Sequence, residues 1–179
     1  FKMAGLNLSR LTPEECDNPF GERSSAGKLF GATGGVMEAA IRTAHHLVTG
    51  ENMKRPVVSV GRELGGIKEA SVRMGDLTVN VAVAHGLKNA ARILDEMAAG
   101  ERSLHFLEVM TCPGGCIGGG GQPYETDLEQ VAARMESLYR IDRKAKLRFS
   151  HENRSVQRLY EEFLGAPLSE RSHHLLHTH

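Results

Sequence analysis

Tryptophan is absent from this chain, aromatic residues make up only 5% of it, and neither sign of charge prevails, with 22 basic residues set against 22 acidic ones. That balance removes the electrostatic case for nucleic acid or an anionic membrane as partner. Apolar runs fall well short of the ~20 residues needed to cross a bilayer, and no leader of the secretory type opens the chain. Three cysteines are an odd number and too few for a disulfide framework. The chain begins at Phe1 and enters "FKMAGLNLSRLTPEEC" without a start-like region. It therefore reads as a fragment whose true N-terminus and targeting signal lie upstream. Glycine is plentiful, with 20 copies, and 40% of the 179 residues are hydrophobic, enough for one compact domain with a real core.

Residues 1–30 read as irregular and rich in turn formers, with "TPEECDNPFGERSSAG" at their centre. A helix follows, because Val36, Met37, Ala40, Ile41, Ala44, Leu47 and Val48 recur at helical spacing between Gly34-Gly35 and Thr49-Gly50. "PVVSV" (56–60) is a strand candidate, and 67–74 with 77–84 form a hairpin about Gly75-Asp76. A second helix spans about 87–99 and closes at Gly100. "LHFLEVM" (104–110) reads as a buried strand that runs into a stretch able to be neither helix nor strand. A third helix starts with a capping-box spacing of Thr126 and Glu129, with Leu128, Val131, Ala132, Met135, Leu138 and Tyr139 as its stripe. A fourth carries Val156, Leu159, Tyr160, Phe163 and Leu164 and ends at Gly165 and Pro167. The fold class is α/β, with mixed sheet strands and packed helices. The Gly-rich loop follows the C-terminal end of a strand, where open α/β sheets place their ligands.

The chemistry concentrates in "EVMTCPGGCIGGGGQP" (108–123). Cys112 and Cys116 stand four apart around Pro113, Gly114 and Gly115. Soft thiolates select iron–sulfur clusters, zinc or copper(I). Zinc ribbons bring two cysteine pairs and a [4Fe–4S] cluster needs about four thiolates, so spacing alone gives half of a metal site. Glycine lets backbone N–H groups approach cluster sulfurs closely, and such bonds tune a cluster's potential. A flexible loop with two incidental thiols has the same spacing. A phosphate loop is disfavoured, since no Gly-Lys-Ser/Thr follows.

This segment resembles the third cluster-binding signature of the iron-only ([FeFe]) hydrogenases. "FGATGGVMEAAIRTA" (30–44) resembles a second signature of the same family, and "SHENRSVQRLYEEFLGAPLSERSHHLLHTH" its C-terminal segment. The resemblance spans essentially the whole chain. It implies that residues 1–140 are the C-terminal part of the catalytic domain and 141–179 a small-subunit-like helical segment. It also implies an H-cluster, a [4Fe–4S] cubane joined to a two-iron subcluster that carries CO, cyanide and a bridging dithiolate. Cys112 matches a cubane ligand and Cys116 the thiolate shared with the two-iron unit. Met110 matches a side chain packed beside that unit, shielding it without ligating. Phe30 and Gly31 match the lining of the diatomic-ligand pocket. There Gly31 permits close approach, Phe30 excludes water, and the helix from Gly34 directs its positive end at the cyanides.

The implied reaction is reversible oxidation of H2 to protons and electrons, with ferredoxin or an NAD(P)-linked subunit as electron partner and a cytoplasmic location. The remaining cubane thiolates, the proton-relay Cys and the proton path would lie upstream, so this stretch alone should neither hold a full cluster nor turn over hydrogen. Other readings are a non-catalytic cluster-assembly relative, a sensory hydrogenase and an unrelated thiolate–metal module. Glu38 and Arg42, four apart on one helix, read as a solvated pair. Glu108 reads as structural, with backbone hydrogen bonds to the cluster loop as its functional option. The tail histidines His173, His174, His177 and His179 read as packing and surface residues, and Cys16 as a free thiol.

Overall fold

A computed structural model of the chain describes residues 1–18, 21–54 and 66–177. The strand candidate at 56–60 lies outside the described residues.

Two strands of the expected hairpin, β1 (Ile67–Met74) and β2 (Leu77–His85), pair antiparallel in the register Met74↔Leu77 to Ile67↔Ala84. The turn between them is Gly75-Asp76, with Gly75 at φ 59°. From β2 the chain crosses through helix α3 (Leu87–Ala98) into β3 (Phe106–Met110), which lies parallel to β2. The sheet order is β1-β2-β3. Parallel pairing of β2 and β3 puts their C-terminal ends together, His85 beside Met110, and Gly86 N–H closes that end by donating to Met110 O at 2.7 Å.

Helix α2 (Gly35–Thr49) covers one face of the sheet and α3 the other. Met37 and Ile41 of α2 pack on Val72, Met74, Val81 and Val83. Ala82 and Ala84 turn to the opposite face, against Ala90 and Ile93 of α3. β2 is therefore apolar on both faces from Val81 to Ala84, as a strand covered on both sides must be. Each fully buried Met, Ile or Val there contributes about 1.5–3 kcal/mol.

A third cluster joins α1 (Ser25–Leu29) to α4 (Leu128–Lys144), with Leu29 and Ala32 packed on Met135 and Tyr139. Of the stripe expected on α4, Val131, Met135 and Tyr139 are buried and Leu128 is exposed. The cap also differs. Asp127 is the N-cap, its Oδ1 accepting from Gln130 N–H at 2.7 Å, while the Thr126 hydroxyl donates to Pro123 O. Aspartate accepts with a full charge at the positive helix end, so it outcompetes the neighbouring hydroxyl.

Residues 1–30 are less irregular than their composition predicts, since they hold a 3-10 turn at Leu8–Arg10 as well as α1. The fourth helix is α5 (Arg154–Leu159), continued by a π-helical turn at Tyr160–Leu164. A last helix, α6 (Glu170–Leu176), occupies the His-rich tail. There His173 and His177 meet edge to face, and Arg171 lies over Phe163. His179 falls outside the described residues.

Candidate metal centre

Two turns meet at the C-terminal end of β2 and β3. One is the segment 30–34 between α1 and α2, and the other is the cysteine loop that leaves β3 at Met110. Backbone groups join them directly. Thr33 N–H donates to Gly114 O at 2.9 Å, and Ile117 N–H donates to Gly31 O at 3.1 Å. The contact is close enough to demand glycine. Gly115 has φ 92°, and a Cβ there would lie 2.8 Å from Thr33 N and 2.9 Å from Gly31 O. Gly35 is equally constrained, because a Cβ would collide with the Leu29 carbonyl. The two segments that the sequence singles out 80 residues apart thus form one continuous backbone surface.

Within the loop, Gly115 N–H donates to Cys112 O and Gly119 N–H to Cys116 O. The 3-10 turn Cys116–Gly118 folds the chain back so that a Cβ on Gly119 would sit 3.0 Å from Cys112 Sγ. Cys112 is half-buried and Cys116 exposed, and both are free thiols. Met110 and Gly31 are half-buried, whereas Phe30 is 47% exposed. The exposed Cys16 is a third free thiol. Among the described residues no group of three or more His, Cys, Asp or Glu converges on a point. The donor chemistry here is two soft thiolates on a glycine-cradled loop. It fits part of the ligand set of an iron–sulfur cluster and falls short of a complete one.

The helix beside the loop is anchored from below. Glu108 is 5% exposed on β3. Its Oε1 accepts from Gly34 N–H at 2.6 Å and its Oε2 from Met37 N–H at 2.7 Å. The carboxylate therefore caps α2 in trans, and its target is the helix start rather than the cysteine loop. Burial raises the Glu108 carboxyl above its ordinary value, and the amides of Met37 and Gly34 offset only part of that rise. Two short contacts at the positive end of a helix favour the ionised form. Gly34, with φ 76°, has no side chain to cap its own helix, so the cap comes from a strand 74 residues on.

Glu38 and Arg42 are not solvated. They are 0% and 2% exposed, and their contact is 2.7 Å long. Arg42 also reaches Asp142 of α4 with two nitrogens, at 3.0 and 2.9 Å, and Asp142 further accepts from Ser25 and Arg148. Helical spacing puts Glu38 and Arg42 on one face, but it does not say whether that face meets water. Asp142, 100 residues away, makes burial tolerable.

The family model for the iron only hydrogenase large subunit, C-terminal domain, matches residues 1–120, and that for the iron hydrogenase small subunit matches residues 128–179. The NADP-reducing hydrogenase subunit HndD of Solidesulfovibrio fructosivorans is 50% identical over 99% of this chain and 30% of its own length. A variant of the [FeFe]-hydrogenase HydA1 from Chlamydomonas reinhardtii is 43% identical, with a TM-score of 0.73 over 100% of this chain and 52% of that one. Cytosolic iron-sulfur assembly component 3 of Rattus norvegicus is 30% identical over 97% of this chain and 37% of its own length. The chain thus spans about a third of these curated relatives and about half of the solved structure. By its match over residues 1–120, the chain belongs to the iron-only hydrogenase family, within the C-terminal domain of the large subunit.

Proposed function

We propose that this chain is the cluster-binding C-terminal portion of an [FeFe]-hydrogenase catalysing reversible oxidation of H2 to two protons and two electrons. The observation that carries the reading is the docking of the Cys112–Cys116 loop on the Gly31–Thr33 turn through two backbone hydrogen bonds and the close-packed Gly115. A loop with incidental thiols has no need of so rigid a seat. Cys112 would ligate a [4Fe–4S] cubane and Cys116 would be shared between the cubane and a two-iron unit, with the other thiolates supplied from outside this stretch. When bound, the cluster supplies the redox and hydrogen-splitting chemistry.

The chain's own residues ligate, shield and orient. The thiolates supply soft anionic donors, and their glycine neighbours let backbone dipoles approach them. Met110 and Phe30 supply polarizable and apolar surface beside the site. Glu108 fixes the first turn of α2 and itself occupies the positive helix end that the resemblance had directed at the cyanides. The division between residues 1–140 and 141–179 belongs to this proposal. So do the electron partner, ferredoxin or an NAD(P)-linked subunit, and a cytoplasmic location. No described helix is long and apolar enough to cross a membrane.

Similarity to the assembly component favours a second reading, a non-catalytic iron–sulfur protein. Infrared spectra of the matured full-length protein separate the two. Hydrogenase identity predicts CO and cyanide stretching bands, lost together with hydrogen turnover in Cys116→Ser. Spectra without such bands support the assembly-type protein, and normal turnover in the variant removes the bridging role of Cys116.

A further inference from the structure

His85 ends β2 beside Met110 and is 6% exposed. Its Nε2 lies 3.1 Å from Thr33 Oγ1, and Thr33 is fully buried. Its Nδ1 is buried without a hydrogen-bond partner among the described residues. Burial lowers the basicity of the ring, helped by Lys68, so the neutral imidazole prevails near neutral pH. A neutral imidazole has one donor and one acceptor, so either tautomer makes the Thr33 bond and leaves the second nitrogen without a partner among the described residues. An apolar side chain would fill the same space without that penalty. The group therefore acts through the bond it makes, and that bond is directed at Thr33. Thr33 is the residue whose N–H holds Gly114 O of the cysteine loop. One side chain thus joins the sheet end, the 30–34 turn and the loop in series.

We infer that His85 is a positioning residue for the metal-binding loop, bolting Thr33, and through it Gly114, in the place that sets the Cys112 and Cys116 thiolates. This inference rests on the reading of the loop as a cluster site. It is tested without a cluster, by alkylation of Cys112 and Cys116 in the apo full-length protein, followed peptide by peptide with mass spectrometry. A seated loop shields the half-buried Cys112. Thr33→Val should speed its alkylation about fivefold, the equivalent of one neutral hydrogen bond, and Thr33→Ser should leave it unchanged. His85→Phe should match Thr33→Val, His85→Gln should restore the rate to within about twofold, and the double variant Thr33→Val/His85→Phe should be no faster than either single. Multiplying effects, about 25-fold in the double variant, would mean two independent packing defects and overturn the inference. So would an unchanged rate in Thr33→Val, which is nearly isosteric and decides the matter even if His85→Phe fails to fold. Either failure leaves the hydrogenase reading to the infrared test, which does not involve His85.

Discussion

Replacing Asp142 by Asn tests the buried charge network through its pH dependence. Asp142 is 1% exposed and accepts from Ser25 at 2.6 Å, from two nitrogens of Arg42 and from Arg148 at 3.0 Å. Burial alone would raise its pKa, but the hydrogen bonds from Arg42, Ser25 and Arg148 prevail and bring it from 3.8 down to about 2. A carboxyl with a depressed folded-state pKa contributes stability that is complete above its unfolded value and disappears as pH falls through the folded one. That contribution is about 2.5 kcal/mol at pH 7, about 1.3 kcal/mol at pH 3 and close to zero below pH 2. Asn also leaves Arg42, at 2% exposure, with Glu38 as its remaining carboxylate partner of those described here, so the total loss at pH 7 is about 3–5 kcal/mol. Urea unfolding of wild type and Asp142→Asn at pH 7 and pH 3 reads both quantities. The gap between the two proteins should shrink by roughly 1 kcal/mol at the lower pH. A gap below 1 kcal/mol at pH 7, or one that does not change with pH, would refute the reasoning.

Two further substitutions probe the seat of the loop itself. Glu108→Gln keeps one acceptor oxygen but turns an NH2 toward the start of α2, costing about 1.5–3 kcal/mol locally. Hydrogen exchange at the Gly34 and Met37 amides should then accelerate about 10- to 100-fold, and unchanged exchange would remove Glu108 from its capping role. Gly115→Ala forces a side chain into a positive-φ position 2.8 Å from Thr33 N, costing about 3 kcal/mol or more. Its thermal midpoint should fall, and iron uptake on reconstitution of the full-length protein should drop with it. Normal uptake would show that the loop binds without its seat on the 31–33 turn.

Periodicity was a good guide wherever burial was local and a poor one wherever it depended on distant chain. The hairpin about Gly75-Asp76 and α2 between its glycines follow from patterns within about 15 residues, and the structure places them as read. The strand feeding the cysteine loop is shorter than 104–110, at Phe106–Met110, and is not the buried strand expected, since Glu108 is its one buried residue and Val109 is 41% exposed. The two signature segments could be matched by resemblance, but no local pattern says that Gly115 packs against Thr33. Glu38 and Arg42 show the same limit, since their spacing fits a wet helix face and a dry one equally. What decides is Asp142, contributed by α4. The trans cap by Glu108 had one sequence signal available: Gly34-Gly35 starts a long helix without any side chain able to cap it, so a buried partner had to come from elsewhere. His85 carried no signal at all, being one histidine at the end of an apolar strand.

These contacts give α2 a particular mechanical role. Its N-terminus is held by Glu108 of β3, its first and third turns by the Glu38–Arg42–Asp142 chain to α4, and its last turns meet the segment around His151, which stacks on His46 and bonds to Thr43. The helix is therefore tied at one end to the strand that leads into the cysteine loop and along its length to the C-terminal helical segment. Loosening Asp142 should be felt at Gly34 as well as in global stability, because both anchors act on one rigid element. Gly34 exchange measured in Asp142→Asn decides this. Acceleration there, with β1–β2 amides unchanged, would show that the C-terminal segment helps set the metal centre from the far side of α2, and uniform acceleration across the sheet would reduce Asp142 to a general stabilising contact.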